Sequence, residues 1–182
     1  GAGKGTQCAL LSEKLGWAHL SAGDLLRAER KTESDLAELI NAKISSGQIV
    51  PSTITVTLIK NAMEKIKADE GTTKFLIDGF PRSEENVDVW EEQIDASKAT
   101  VEFILFLDCP EDTMTGRLLE RGKTSGRNDD NLEVIRKRFK TFQDLSMPIV
   151  EVYEKKGMVN YVIADRSVED VYAEVEQLFK EL

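Results

Sequence analysis

One histidine, His19, and two cysteines, Cys8 and Cys109, are all the soft metal ligands in this chain of 182 residues. Without a Cys-x-x-Cys pair or a second histidine, four-ligand zinc sites and histidine-rich metal chemistry are excluded. His19 reads as a packing or hydrogen-bonding residue. The two thiols fit a reducing compartment better than a disulfide framework, and neither has a basic partner in sequence, so both read as packing residues. No apolar run approaches the roughly 18 residues that cross a membrane. Positive charge is also short: 24 Lys and Arg against 33 Asp and Glu leave a net charge of -9. That excludes the broad basic surface that duplex nucleic acid requires. A small anion can still be bound if the arginines converge locally.

What is present is the balance of a globular α/β chain, 41% hydrophobic and 31% charged, long enough for one domain with a sizeable core. There is no internal repeat and no low-complexity linker. Helix-like and strand-like segments alternate, which predicts a mostly parallel sheet. Helices are expected over Thr6 to Leu15, from Ser21, over Asp35 to Ser46, over Ser52 to Ala68 and over Ser167 to Leu182. Ser21 with Asp24 three residues on resembles a capping box. Phe75, Leu76 and Ile77 form a short apolar run that delivers Asp78 and Gly79 to a strand end. "VEFILFLDCP" repeats the form with Asp108, and Met158 to Ile163 is a third strand.

The chain opens on "GAGKGTQCALL". Glycines let backbone N–H groups turn inward on phosphate oxygens, the following helix adds partial positive charge, and a lysine supplies a mobile point charge. Gly1, Ala2, Gly3, Lys4, Gly5 and Thr6 match the second half of GxxxxGK[ST], with Gly5 at the usual Ser/Thr place and Thr6 one later. A Gly-rich loop that merely enters a helix is the plainer reading of these six residues. A β/α chain with Asp78 at a strand end favours the phosphate grip. About ten further residues, an apolar strand and a Gly-Pro-like turn, are expected ahead of Gly1.

Six arginines stand out: Arg27, Arg82, Arg117, Arg121, Arg127 and Arg138. Arg117 and Arg121 are four apart and share a helix face. Arg127 lies in "GKTSGRNDDN", a polar stretch that reads as a mobile loop opening about Gly122 and Gly126. Arginines on such a loop can cage the equatorial oxygens of a phosphoryl group and exclude water. The plainer reading is a set of solvated side chains, with Asp129 and Asp130 neutralising Arg127. Asp78 either caps a turn or orders water around a divalent ion.

In order and spacing, "GAGKGTQC", "HLSAGDLLRAE", "GQIVP", "FLIDGFPR", "FLDCPE", "RLLERGKTSGRNDDN" and "DRSVEDVY" resemble the nucleoside monophosphate (NMP) kinases of the adenylate kinase superfamily, and within it the eukaryotic UMP-CMP kinases. The resemblance covers essentially the whole chain. It implies a P-loop NTPase-type three-layer α/β/α fold with a five-stranded parallel sheet, its first strand ahead of Gly1. It further implies one kinase domain over 1–182, with core at about 1–20, 51–121 and 132–182, an NMP-binding flap at about 21–50 and a short, cysteine-free lid at about 122–131. The implied activity is ATP-dependent phosphorylation of UMP, CMP and dCMP, with Mg²⁺ carried on ATP. The implied setting is a cytoplasmic monomer, nuclear residence left open, whose partners are small nucleotides rather than nucleic acid or membrane.

By the same resemblance, Lys4 and the loop amides of Gly1 to Thr6 hold the ATP phosphates. Arg117 and Arg121 clamp the donor, and the backbone around Arg166 borders its adenine. Arg27 and Arg82 grip the acceptor phosphate, with Gly79 beside them, while Arg127 and Arg138 line the transferring group. Lys4, Arg82, Arg121, Arg127 and Arg138 are thus the catalytic set. Asp78 orders the Mg²⁺ shell through water, and Asp129 and Asp130 pair with arginines in the closed lid. Gln48, Ile49 and Val50 border the acceptor base and ribose. Ala22 and Asn86 stand where many AMP-specific relatives carry Thr and Gln. The amide of Asn86 can pair with a pyrimidine edge through one donor and one acceptor. Two rivals remain: an AMP kinase of the same family and a non-catalytic nucleotide sensor.

Overall fold

A computed structural model of the chain describes residues 1–32, 34–94 and 99–180. Its first half contains α1 (Lys4–Leu15), β1 (Ala18–Ser21), α2 (Ala22–Glu29), α3 (Leu36–Ser45), α4 (Ser52–Glu70), β2 (Phe75–Asp78) and α5 (Glu84–Gln93). Its second half contains β3 (Ile104–Asp108), α6 (Glu111–Ser125), α7 (Leu132–Thr141), a π-helical turn (Phe142–Ser146), α8 (Met147–Lys155), β4 (Val159–Ile163) and α9 (Val168–Lys180). Element ends differ from the sequence expectations by a residue or two, the opening helix starting at Lys4 and not at Thr6, except that α6 runs on to Ser125. The expected end of the last helix at Leu182 lies outside the described residues. Local capping accounts for several starts. Ser21 Oγ accepts the Asp24 N–H at 3.3 Å, Ser83 Oγ accepts the Asn86 N–H at 3.2 Å, and Asn131 Oδ1 accepts the Val134 N–H at 3.1 Å. Only the serine half of the expected capping box is formed at α2. The Asp24 carboxylate is turned to arginines instead.

The four strands form two parallel pairs. In one, β1 lies beside β2 with Ser21 opposite Asp78; in the other, β3 lies beside β4 with Asp108 opposite Ile163. Alternation along β2 explains its continuous apolar run. Leu76 packs into a cluster with Leu11 of α1, Leu107, Val162, and Val171, Val175 and Phe179 of α9. Phe75 and Ile77 face the other way, onto Val56 and Ile59 of α4 and Val89 and Trp90 of α5. Helices therefore cover both faces of the strands, giving the expected three layers. A third, smaller cluster of Leu26, Ile40 and Val50 forms the interior of the flap.

One expectation is met differently. Among the described residues the strands do not join into one five-stranded sheet. A cavity of about 1250 Å³ separates β2 from β3, lined by both strands and bounded at one end by Gly1, Lys4 and Asp78. Most of that volume lies between the strand pairs and is not shaped around the charged site.

The second cluster makes a simple test of the packing account. Ile59 is 0% exposed. Replacing it with Ala is expected to lower unfolding stability by roughly 2–5 kcal/mol, read by urea denaturation with an unchanged slope.

Candidate active site

Parallel pairing brings the carboxyl ends of β1 and β2 together, so the start of the flap at Ser21 lies beside Asp78. The turn from Gly1 to Gly3 enters α1 at the same end. Gly3 adopts φ +92° at the N-cap, and no side-chain hydrogen bond caps the helix among the described residues. The first N–H groups of α1 are thus presented outward, with the Gln7 N–H already spent on Gly3 O at 3.0 Å. The Asp78 carboxylate borders this turn: a Cβ placed on Gly5 would lie 3.8 Å from Asp78 Oδ2. His19 Nε2 sits 3.7 Å from the same oxygen, buried, with no hydrogen-bond partner among the described residues.

Lys4 and Arg82 reach water in the cleft, yet protein surrounds them on most sides. That surrounding mass lowers the Lys4 pKa from its ordinary value; Asp78 opposes the shift, while Arg82 and Arg138 add to it. Burial likewise lowers the Arg82 pKa, reinforced by Arg138 and opposed by Asp78. Lys4, Arg82 and Arg138 therefore lie close enough to repel one another, with one strand-end carboxylate among them. Cys8 on α1 is no nucleophile here. Burial, with Asp78 adding to it, pushes its thiol up to about 12.

The expected acceptor residues gather around a small cavity of about 70 Å³. Ala22 and Arg27 come from α2, Gln48, Ile49 and Val50 from the segment after α3, and Gly79, Arg82 and Asn86 from the β2–α5 connection. Arg138 of α7 and Asp129 complete its wall. Such a volume holds a few waters and is too small for a nucleotide. Gly79 adopts φ +76°, and a Cβ there would stand 2.9 Å from Arg82 Nη2. Only glycine lets the arginine fold back over the turn, where its Nε donates to Gly79 O at 2.7 Å. Asn86 is 2% exposed. Its Oδ1 accepts the Arg82 N–H at 2.9 Å and its Nδ2 donates to Ser52 Oγ at 2.7 Å.

The turn after α6 is shorter than the sequence suggests. Gly122 to Ser125 continue the helix, and only 126–131 form the connection to α7. Gly122 is a point of close approach within α6: a Cβ there would lie 2.7 Å from Asp130 O. That contact lets Arg121 bond both Asp130 oxygens at 2.7 Å, while Arg138 Nη1 donates to Asp129 Oδ2 at 3.0 Å and Asp130 Oδ1 at 3.3 Å. Arg127, which sequence proximity would pair with these aspartates, instead donates to Asp24 Oδ1 at 3.1 Å across the cleft. Arg27 Nη2 donates to the same oxygen at 2.6 Å. Asn128 adds a second link between turn and flap by donating to Ser45 Oγ at 3.1 Å.

Arg117 and Arg166 stand at the carboxyl ends of β3 and β4. Arg117 Nη1 donates to Ala164 O at 3.2 Å and to Gly1 O at 3.5 Å, bracing the loop against the second strand pair. Arg166 donates from Nε to Ile163 O at 2.9 Å and pairs with Glu174. Three contributors escaped the sequence reading. Asp24 was legible only as a cap. Ser52 and Ser146 make long-range bonds that no local pattern announces; Ser146 Oγ donates to Arg82 O at 2.7 Å.

With this geometry in hand, comparison with known proteins is informative. The family model described as Adenylate kinase matches residues 1–158. The chain is 50% identical over 182 residues to a UMP-CMP kinase of Danio rerio, covering 99% of this chain and 92% of that protein. It is 54% identical over 183 residues to the uridylate kinase of Saccharomyces cerevisiae, covering 100% and 87%. Against the UMP-CMP kinase of Homo sapiens it is 49% identical over 181 residues, covering 98% and 92%.

The Asp130 pairing generates a pH prediction. Its side chain is 0% exposed and paired with Arg121. Burial works to raise its pKa, but the Arg121 guanidinium outweighs burial and holds it below the ordinary carboxylate range. A depressed folded value means stability fully present above about pH 4 and lost as pH falls through the lowered value. Asp130→Asn is therefore expected to cost roughly 1–3 kcal/mol at neutral pH, the gap to the parent closing in acid. Denaturation midpoints from pH 7 down to pH 2, on the order of six points, would reveal a pH-independent gap if the ionised pair were not the cause.

Proposed function

The chain belongs to the adenylate kinase family, and from that premise we propose that it transfers the γ-phosphoryl group of ATP to UMP and CMP, with dCMP as a further acceptor. The observation that carries this reading is that Lys4, Arg82 and Arg138 line one cavity beside the uncapped start of α1. Cations so placed repel until an anion comes between them, and a phosphoryl group in transit is such an anion.

In this reading Lys4 and the first amides of α1 hold the donor phosphates, adding the positive end of the helix. Arg27 and Arg82 hold the acceptor phosphate, Arg138 faces the transferring group from α7, and Arg127 joins it from the turn. Arg117 and Arg121 brace the donor side, with the backbone near Arg166 bordering the adenine. None of these groups needs to accept a proton strongly; alignment and charge stabilisation suffice. A magnesium ion fits the residues present. The carboxylate of Asp78 borders the phosphate turn, and no cluster of three metal-ligating side chains exists among the described residues. That donor set suits an ion carried by nucleotide phosphates and water, not one caged by protein. Such an ion would offset phosphate charge.

Acceptor choice rests on Asn86 and Ala22. The Asn86 amide spends one donor and one acceptor on Ser52 and Arg82, which leaves one of each for a pyrimidine edge. Ala22 brings no hydroxyl to the pocket wall. The reading takes the protein as a monomer acting on free nucleotides in the cytoplasm, with the nucleus as a further compartment it allows.

A coupled ADP-release assay with ATP and Mg²⁺, offering UMP, CMP, dCMP and AMP in turn, tests the acceptor. Turnover highest with UMP or CMP is expected. Preference for AMP would keep the kinase and overturn the roles of Ala22 and Asn86. Arg127→Ala and Arg138→Ala are each expected to lower turnover on the order of 10²-fold with nucleotide affinity little changed. A pure nucleotide sensor would have no turnover to lose.

A further inference from the structure

We propose that Ser146 is a positioning residue for Arg82, and that the π-helical turn at Phe142–Ser146 serves to aim it. Arg82 lies in the β2–α5 connection, outside any helix or strand. Its two backbone polar groups are nonetheless both held by buried side chains. The N–H donates to Asn86 Oδ1 at 2.9 Å, and the C=O accepts from Ser146 Oγ at 2.7 Å. Ser146 is 5% exposed and closes the π-helical turn.

Such anchoring has a purpose. Arg138 and Arg27 repel the Arg82 guanidinium, and a free side chain would swing into solvent until an anion arrived. A backbone fixed at both ends, with Nε held on Gly79 O, keeps the guanidinium in the cleft beforehand. The acceptor phosphate then meets a group whose ordering is already done.

The π turn explains how one helical rod serves two ends. Arg138 and Ser146 are eight residues apart. In a regular α-helix that spacing leaves them about 80° out of phase. A π turn takes up one additional residue, so the pair behaves like positions seven apart, within about 20° of one face. Arg138 can therefore reach Asp129 and Asp130 while Ser146 reaches Arg82 from the same side.

This inference rests on the reading that Arg82 grips the acceptor phosphate. Ser146→Ala is expected to raise the KM for UMP and the Kd for UMP by titration calorimetry about tenfold, with the KM for ATP within about twofold of the parent. Ser146→Thr keeps the hydroxyl, and the adjoining cavity leaves room for its methyl group; it is expected to restore both values. A second variant guards against a folding defect in the first. Deleting the exposed Asp144 converts the π turn to α geometry without turning Ser146 off its face, and is expected to keep UMP affinity near the parent's. Equal losses for ATP and UMP, or failure of the Thr variant to recover, would mean a general structural role and overturn the inference. So would unchanged UMP affinity in Ser146→Ala. If the parent itself binds UMP but transfers nothing to it, the kinase reading fails, and the calorimetric comparison still decides the role of Ser146.

Discussion

Mutual repulsion among Lys4, Arg82, Arg138 and Arg27 is the constraint around which the rest of this molecule is arranged. In a chain whose net charge is -9, cations could easily be scattered and neutralised. Here they are drawn together, and the three arginines are each held by something other than their own preference. Arg138 is held by Asp129 and Asp130, Arg27 by Asp24, and Arg82 by its backbone and by Gly79 O. Asp78 is the one carboxylate that opposes the repulsion at both Lys4 and Arg82. The cost of assembling like charges is met in advance by packing and hydrogen bonds, which is how a site becomes complementary to a charge that arrives only with substrate.

The fold supplies the convergence through strand direction. Parallel pairing sets the carboxyl ends of β1 and β2 side by side, so the flap begins where Asp78 ends and the phosphate turn arrives at the same edge. Arg117 of α6, the helix that follows β3, links Gly1 O to Ala164 O at the end of β4. Helices on both faces fix these ends by burying Leu76 on one side and Phe75 and Ile77 on the other. The segment over 21–50 has a small cluster of its own, Leu26, Ile40 and Val50, against which Ile54 and Leu58 of α4 pack.

Local features were legible in the sequence, and long-range ones were not. The run Phe75 to Ile77 ending in Asp78 reads as a buried strand because its periodicity is carried by adjacent residues. Ser21 reads as a cap for the same reason. Asp24 was misplaced: its spacing from Ser21 suits a capping box, yet its carboxylate is taken by Arg27 three residues on and by Arg127, 103 residues away. Gly122 looked like a hinge because glycine loosens a chain, whereas its contact with the Asp130 backbone decides its place. Ser146 bonds Arg82 across 64 residues and depends on a π turn that no residue pattern signals.

Asp24 also suggests how the flap and the turn after α6 keep in step. Its carboxylate bonds Arg27 on the flap and Arg127 on the turn at once. Burial works to raise its pKa, and the Arg27 bonds outweigh that and hold it below the ordinary range, so it stays ionised at neutral pH. An exposed carboxylate bound by two guanidiniums is a modest interaction. A phosphate presents more oxygens and more charge to the same two forks and competes for them on better terms. The carboxylate thus holds the two arginines facing one another across the cleft, in an exposed pairing that a better anion can displace at small cost.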